Sequence, residues 1–175
     1  MSVTDLRFST VQLEPLSPEA FAPFGDVAAR PTGMRRRYLP TALDAANEAG
    51  ASSLWISSAA ATATLPLRIT ALERHPYSAQ TFVPLDPGRY LAIVCAAGAT
   101  GQPDLNTLHA FLADGRQSVT YARNVWHHSM MVLEPGMEFA VAMAMTGRGD
   151  DDVFVDLDAA ITIILPPAPG EGSQP

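Results

Sequence analysis

Short apolar segments separated by turn residues fill the chain from residue 54 onward, and this pattern restricts the fold more than any other feature. Asp-Pro-Gly at 86–88, the segment 98–103, Asp-Gly at 114–115 and Glu-Pro-Gly at 134–136 are turn signals. The sequence lacks helix-length periodic segments between the strands, so the pattern predicts a β-sandwich or β-barrel. The predicted strands cover 54–58, 67–73, 80–84, 90–96, 109–112, 118–121, 128–134, 138–145 and 160–165.

The first fifty residues predict short helices instead of strands. Ser17 is a suitable N-cap, Pro18 fits the first helical position, and Pro23 with Gly25 ends the helix after little more than a turn. The segment 41–50 predicts a second short helix. We therefore expect a mainly all-β fold, an antiparallel β-barrel with short N-terminal helices.

Length and composition favour a single globular domain. The chain has 175 residues, of which 47% are hydrophobic and 17% charged, which is typical of a folded domain with one core. We predict one domain over residues 1–165. The Pro/Gly-rich segment 166–175 is predicted to be a disordered tail.

Charge and cysteine content exclude several classes of function. The formal net charge is −7, and the only basic cluster is Arg35–Arg37, so nucleic acid is not an expected partner. No segment has the length and apolarity of a membrane span or a signal peptide. The single cysteine, Cys95, has no partner for an intrachain disulfide and indicates a reducing compartment. We expect a cytoplasmic protein.

Two polar clusters interrupt the apolar strands, and they hold three of the four histidines. Glu73 and His75 are two residues apart and face the same side of a strand, and Gln80 begins the next strand. The second cluster, 123–128, reads Arg-Asn-Val-Trp-His-His. Imidazoles and a carboxylate brought together from separate strands can form a polar site inside an apolar barrel.

The adjacent histidines His127 and His128 must point to opposite faces of a strand, and spacing alone does not say which one enters the barrel. A single histidine or glutamate in a strand is more often a satisfied polar residue than a ligand. The joint arrangement is less easily explained in that way. His109 and Tyr121 are weaker candidates on strands of their own.

Both clusters resemble segments of the ureidoglycolate lyase family. Residues 72–85 (LERHPYSAQTFVPL) are similar to the family's "LERHPLGSQAFIPL"-type segment, and residues 115–128 are similar to its segment ending in "WHH". Weaker matches are found at 16–27, 103–105 and 110–111. The resemblance extends over residues 11–158.

This resemblance implies a cupin-like β-barrel or jelly roll that is usually dimeric and that cleaves ureidoglycolate to glyoxylate and urea in purine nitrogen recovery. It implies catalytic roles for Glu73, His75 and His127. A divalent metal such as nickel is the implied cofactor, and His75, Gln80 and His127 match the cupin ligand positions, with Asn124 at the glycine place before His127. The candidate substrate-binding residues are Arg74, Gln80, Tyr121, Arg123, Trp126 and His128.

The chain also departs from this family. Members commonly carry an arginine near the place of Ala59 and an Asp-Arg pair in the strand that here spans 139–145. An arginine is the natural partner of a substrate carboxylate, so Arg74, Arg123 or one of Arg35–Arg37 would have to substitute. The alternatives are therefore a related lyase or hydrolase acting on another small hydroxy or ureido acid, and a non-catalytic cupin that binds a small acid.

Overall fold

The computed structural model describes residues 10–59 and 62–167, which form two β-sheets. The strands are β1 (Thr10–Pro15), β2 (Gly25–Ala29), β3 (Ser52–Ser58), β4 (Leu67–Arg74), β5 (Gln80–Pro84), β6 (Arg89–Cys95), β7 (His109–Asp114), β8 (Gln117–Tyr121), β9 (Trp126–His127), β10 (Met131–Val132), β11 (Glu138–Ala144) and β12 (Val153–Ile164). One α-helix, α1 (Pro18–Phe21), and a 3-10 turn at Leu105–Thr107 complete the described elements.

The larger sheet closes on itself. Its seven strands run in the order β10-β6-β7-β1-β12-β4-β9, and β9 also pairs with β6, which completes the ring. The smaller sheet has the order β2-β8-β5-β11-β3 and packs against the larger one. The all-β class and the barrel are thus confirmed. One detail differs from the predicted antiparallel barrel, because β1 runs parallel to both β7 and β12.

Two apolar interiors result from this arrangement. The inner core lies inside the closed sheet and is formed by Leu13, Ile69, Leu72, Leu91, Ile93, Cys95, Ala110, Trp126, Ile161 and Ile163. The intersheet core lies between the sheets and includes Phe21, Tyr90, Phe111, Val119, Tyr121, Phe139 and Val141. Successive residues of β6 contribute to each in turn, so nearly the whole strand is buried and reads as a continuous apolar segment.

The N-terminal predictions are partly confirmed. Ser17 caps α1, accepting a hydrogen bond from the Ala20 amide at 3.1 Å. The second predicted helix, 41–50, is wrong: the segment forms turns and an isolated bridge from Ala45 to Ser78. Its Gly50 amide bonds to Met145, so contacts with distant residues replace helical hydrogen bonds.

The sequence did not predict β1 and β2, and the strand that it predicted over 128–134 is reduced to β10, with β9 ending at His127 just before it. Both of these pair with β6: His127 lies opposite Val94, and Met131 lies opposite Leu91. The interval from His127 to Met131 is four residues, whereas the facing interval on β6, from Val94 to Leu91, is three. One extra residue on one strand is the geometry of a bulge. The His128 amide still donates to the Ile93 carbonyl at 2.9 Å, and the bulge turns Ser129 and Met130 away from the ladder. Of the predicted disordered tail, 168–175 lies outside the described residues.

Candidate functional site

The two polar clusters meet at one end of the gap between the sheets. His75 follows the last residue of β4, and Gln80 begins β5. The five-residue connection between these two strands, 75–79, carries the chain from one sheet to the other. Glu73 lies opposite His127 in the β4–β9 pair. Tyr121 lies opposite Gln80 in the β5–β8 pair. All five residues therefore converge where the sheets separate.

His127 is the more deeply buried of the two adjacent histidines. It is 1% exposed, and its ring stacks on that of Tyr121 with centroids 4.3 Å apart. Asn124 has φ +63°, a left-handed conformation that glycine adopts most easily and asparagine tolerates, consistent with its glycine-like place. The Asn124 amide donates to the His75 carbonyl at 3.0 Å, which ties the two clusters together.

The protonation of His127 is set by its surroundings. Nδ1 lies 3.0 Å from the Val125 carbonyl and donates to it, so Nε2 is the free nitrogen. That atom is buried without a hydrogen-bond partner, with Glu73 Oε1 3.8 Å away. Burial, followed by the nearby His75, lowers the pKa of His127 to about 3, and the ring is neutral at pH 7.

His75 is 4% exposed and faces an acceptor at each ring nitrogen. Nδ1 lies 2.9 Å from Asp152 Oδ1 and 3.3 Å from the Asp151 carbonyl. Nε2 lies 3.1 Å from Gln80 Oε1. The His75 and His127 rings are neighbours, with centroids 5.0 Å apart. Glu73 does not orient His75, because that contact is made by Asp152.

A pocket of about 240 Å³ opens beside this cluster. Glu73 and Gln80 form its polar wall, and His127 and His75 lie directly behind them. The Ser129 hydroxyl donates to Glu73 Oε1 at 3.0 Å. The other lining residues are Ser57, Ser58, Ala59, Phe82, Met130 and Phe139.

The phenol of Tyr121 is buried at the same end. Its hydroxyl has no hydrogen-bond partner among the described residues. Burial, with the Glu73 charge as a smaller cause, raises the pKa of Tyr121 well above its usual range, so the hydroxyl keeps its proton and remains a donor.

The remaining predicted binding residues lie elsewhere. Trp126 faces the inner core, and the Arg74 guanidinium lies over its ring at 4.9 Å. Arg123 pairs with Asp44 at 3.3 Å at the surface. His128 is half-buried beside Glu73 in a shallow depression. Arg74 and Arg123 therefore do not contribute to the pocket, and no arginine among the described residues lines it.

Sequence reasoning missed the serines of the pocket and Asp152. Ser57 precedes Ala59 on the segment where family members commonly carry an arginine, so the position itself was a usable signal. Asp152 ends an acidic triplet, 150–152, and nothing in the sequence distinguishes which of the three carboxylates reaches His75.

The side chains of His75, Gln80 and His127 carry atoms that are chemically suited to bind a divalent cation, although they are not spaced as in a formed metal site. Within 10–59 and 62–167, no three His, Cys, Asp or Glu side chains lie close enough to hold a metal ion. The predicted ligands include an amide, however, and the unpartnered Nε2 of His127 is an atom that a cation would satisfy. Among the same residues, no helix is long and apolar enough to cross a membrane.

Comparison with known proteins identifies the family. A model of the ureidoglycolate lyase family matches residues 8–163. The chain is 41% identical to an Agrobacterium fabrum protein that carries this family's name, over 88% of the chain and 94% of the relative. It is 39% identical to the ureidoglycolate lyase of Escherichia coli, over 83% and 92%.

The chain belongs to the ureidoglycolate lyase family. A third relative, the ureidoglycolate lyase of Pseudomonas paraeruginosa, is 35% identical over 88% of the chain and 95% of its own length. The family match confirms the resemblance seen in 72–85 and 115–128. It also makes the protein an enzyme of the lyase class.

Proposed function

We propose that this enzyme cleaves ureidoglycolate to glyoxylate and urea. The observation that carries the proposal is the buried, unpartnered Nε2 of His127 directly behind Glu73, which lines a pocket sized for a small molecule. A free acceptor and a carboxylate at one point provide the proton-accepting half of an elimination. The relatives' names supply the substrate.

The reaction requires a base, an acid and an anchor for the carboxylate. The reacting carbon of ureidoglycolate carries a hydroxyl, a carboxylate and the ureido nitrogen. The hydroxyl loses its proton as its oxygen forms the glyoxylate carbonyl, the bond from carbon to nitrogen breaks, and the departing nitrogen gains a proton. Each of these needs can be assigned to a group at this site.

Glu73 is the base in this proposal. Its carboxylate lines the pocket, and Ser129 fixes one of its oxygens. His127 stays neutral and offers Nε2 as an acceptor that orients the substrate hydroxyl toward Glu73. A histidine with a pKa of about 3 is too weakly basic to keep the proton, so its role is orientation and not storage.

His75 is the acid. The acid role requires a proton on Nε2, which lies 3.1 Å from Gln80 Oε1, and the Asp152 carboxylate 2.9 Å from Nδ1 is placed to offset the charge of the ring in that role. The Gln80 amide nitrogen has a weak contact, 3.8 Å to the Met143 sulfur. Rotation of the Gln80 side chain exposes His75 Nε2 to the pocket and to the departing nitrogen.

The substrate carboxylate needs positive charge or donors, and the described pocket wall has no cationic side chain. The hydroxyls of Ser57 and Ser58 are its neutral donors, because the Ser129 hydroxyl already donates to Glu73. We propose His75, Gln80 and His127 as ligands of a divalent cation, which when bound would polarise the substrate hydroxyl and carboxylate. A bound cation would occupy His75 Nε2 in place of a proton, so His75 would act as the acid only in the metal-free enzyme. The support is the lack of positive charge and the free Nε2 of His127.

The test is a urea-release assay on purified protein, with metal analysis of the same sample. We expect urea and glyoxylate in equal amounts from ureidoglycolate, and a lower rate after treatment with a chelator. Release of neither product, with nickel, manganese or zinc supplied, contradicts the proposal. Saturable binding without turnover would instead indicate a non-catalytic binding protein.

We also propose a homodimer. Leu54 and Ile56 of the edge strand β3 are 74% and 57% exposed. Ile56, Ala140 and Val83 lie in one row across the outer face of the smaller sheet, and an apolar row beside an unpaired edge is suited to a partner subunit. Sedimentation should give a dimer at micromolar concentration. Leu54→Glu should shift it to the monomer.

Location and pathway complete the proposal. We infer a cytoplasmic enzyme of purine nitrogen recovery, in which urea and glyoxylate leave as products. Cys95 supports a reducing compartment, because its thiol is buried and unpaired and burial raises its pKa to about 12, which keeps it unreactive. Loss of growth on allantoin as the nitrogen source in a deletion strain tests the pathway.

A further inference from the structure

We propose that Asp152 is the positioning residue of His75, holding its imidazole so that Nε2 faces the pocket wall. This inference rests on the proposed function for its catalytic consequence. Its structural part concerns Asp152 and His75 alone and can be measured separately.

Two groups face the Nδ1 edge of the His75 ring, the Asp151 carbonyl as the hydrogen-bond acceptor and the Asp152 carboxylate as a close charged neighbour. Asp152 Oδ1 lies 2.9 Å from His75 Nδ1, and the Asp151 carbonyl oxygen lies 3.3 Å from it. Nδ1 therefore carries a proton and donates, and the ring cannot flip without placing a carbon against both groups.

The loop that carries Asp152 is anchored on both sides, so an exposed carboxylate keeps a fixed position. Asp152 is 52% exposed. The preceding residue, Asp151, is buried and accepts from the amide and the hydroxyl of Thr146, at 2.8 and 3.0 Å. The following residue, Val153, starts β12 opposite Arg74 of β4. His75 directly follows Arg74, so the strand pair brings the two side chains together.

The two histidines of the site are held in different ways. His127 Nδ1 donates to Val125, two residues away in its own segment. His75 is held by a residue 77 positions later in the chain (152 − 75) and by a full negative charge. Partners that fix Nδ1 in this manner orient the opposite nitrogen, and their removal typically lowers activity or ligand affinity about 10- to 100-fold.

Kinetics provide the first test. In Asp152→Ala we expect kcat to fall at least about tenfold with KM close to the wild-type value, because Asp152 does not line the pocket. Asp152→Glu, which retains the carboxylate, should recover part of kcat. The matched control is Asp158→Ala, an exposed carboxylate farther along β12, which should leave kcat unchanged. Wild-type kcat in Asp152→Ala overturns the proposal.

Nitrogen-15 NMR of the histidine rings provides a readout besides activity, and the chain has only four histidines. The wild type should show a downfield, slowly exchanging Nδ1–H signal, assigned by its loss in His75→Gln. Asp152→Ala should move it upfield, and Asp158→Ala should not. If the wild type releases no urea, the proposed function fails while this signal still decides the positioning. An unchanged signal in Asp152→Ala overturns it.

Discussion

The same two strands, β4 and β9, form the inner core on one face and the candidate site on the other. Leu72 and Trp126 point into the closed sheet, where they are each 1% exposed. Their neighbours Glu73 and His127 point into the gap between the sheets. A shift of register by one residue would exchange the two sets. The apolar residues of one face thus fix the position of the polar residues of the other.

The two faces differ in how their polar atoms are satisfied. On the inner face, the Trp126 indole nitrogen donates to the Gly101 carbonyl at 3.0 Å, and Arg74, whose Nε is buried without a partner, covers the ring. On the site face, Nε2 of His127 and the hydroxyl of Tyr121 are buried without partners. Unpartnered buried groups cost stability. The two unpartnered groups of the site face belong to stacked rings, whereas the Arg74 guanidinium lies over an indole, so the site face is the one suited to binding and catalysis.

Truncation of the inner face should give the largest effect. Trp126→Ala removes a fully buried indole and should lower the free energy of unfolding by about 3–5 kcal/mol, measured by urea denaturation. Because Trp126 also packs beside Arg74, we do not expect neighbouring side chains to move in and fill the cavity. A loss below about 1 kcal/mol would show that the inner core does not hold this strand pair in register.

Changes on the site face should reduce turnover and leave the fold intact. Glu73→Gln and His75→Ala should each lower turnover by about a hundredfold or more, the usual scale for a general acid–base group, with nearly unchanged unfolding curves. Glu138→Gln, on the exposed end of β11, is the matched control and should be fully active. Full activity of either site variant would contradict the roles assigned to Glu73 and His75.

Acid should destabilise the protein through His127. Its pKa is about 3 in the folded state and about 6.5 when unfolded, so between these values only the unfolded chain binds the proton. The contribution of His127 to the free energy of unfolding has its full value above pH 6.5. Below that pH it falls by up to about 1.4 kcal/mol per pH unit. Urea denaturation at pH 7 and pH 5 should show a smaller acid-induced loss for His127→Gln than for the wild type. Equal losses would mean that His127 titrates normally.

His128 should give the smallest effect. It is half-buried, and its Nδ1 contacts the Ser129 carbonyl at 2.9 Å. His128→Ala should reduce the free energy of unfolding by about 1 kcal/mol or less and change turnover less than any variant at Glu73, His75 or His127. A hundredfold loss of turnover would place His128, and not His127, in the site.

Sequence patterns predicted the site better where strands alternate regularly than where the chain turns. The structure buries His127, the histidine that its spacing to Asn124 favoured, in the gap between the sheets. Arg74 was predicted to bind substrate, although strand alternation from Glu73 places it on the opposite face. Asp152 could not be predicted, because its contact with His75 depends on the pairing of β12 with β4.

Dependence on pairing between distant strands also limited the prediction of the fold. Continuous apolar segments such as β6 are recognisable without tertiary information. β1 and β2 are not, since each has a mixed pattern and is stabilised by pairing with distant strands. The interruption between β9 and β10 depends on a bulge. That bulge places Ser129 and Met130 at the pocket, so a feature hidden in the sequence shapes the site.

The most direct test compares urea release from ureidoglycolate by the wild type and by Leu72→Ala and His127→Gln, each at equal folded concentration. These residues lie on opposite faces of the paired strands β4 and β9. The account predicts that Leu72→Ala is less stable but turns over at close to the wild-type rate while folded, and that His127→Gln stays folded and is slower by about a hundredfold. Equal turnover by the wild type and His127→Gln would contradict it.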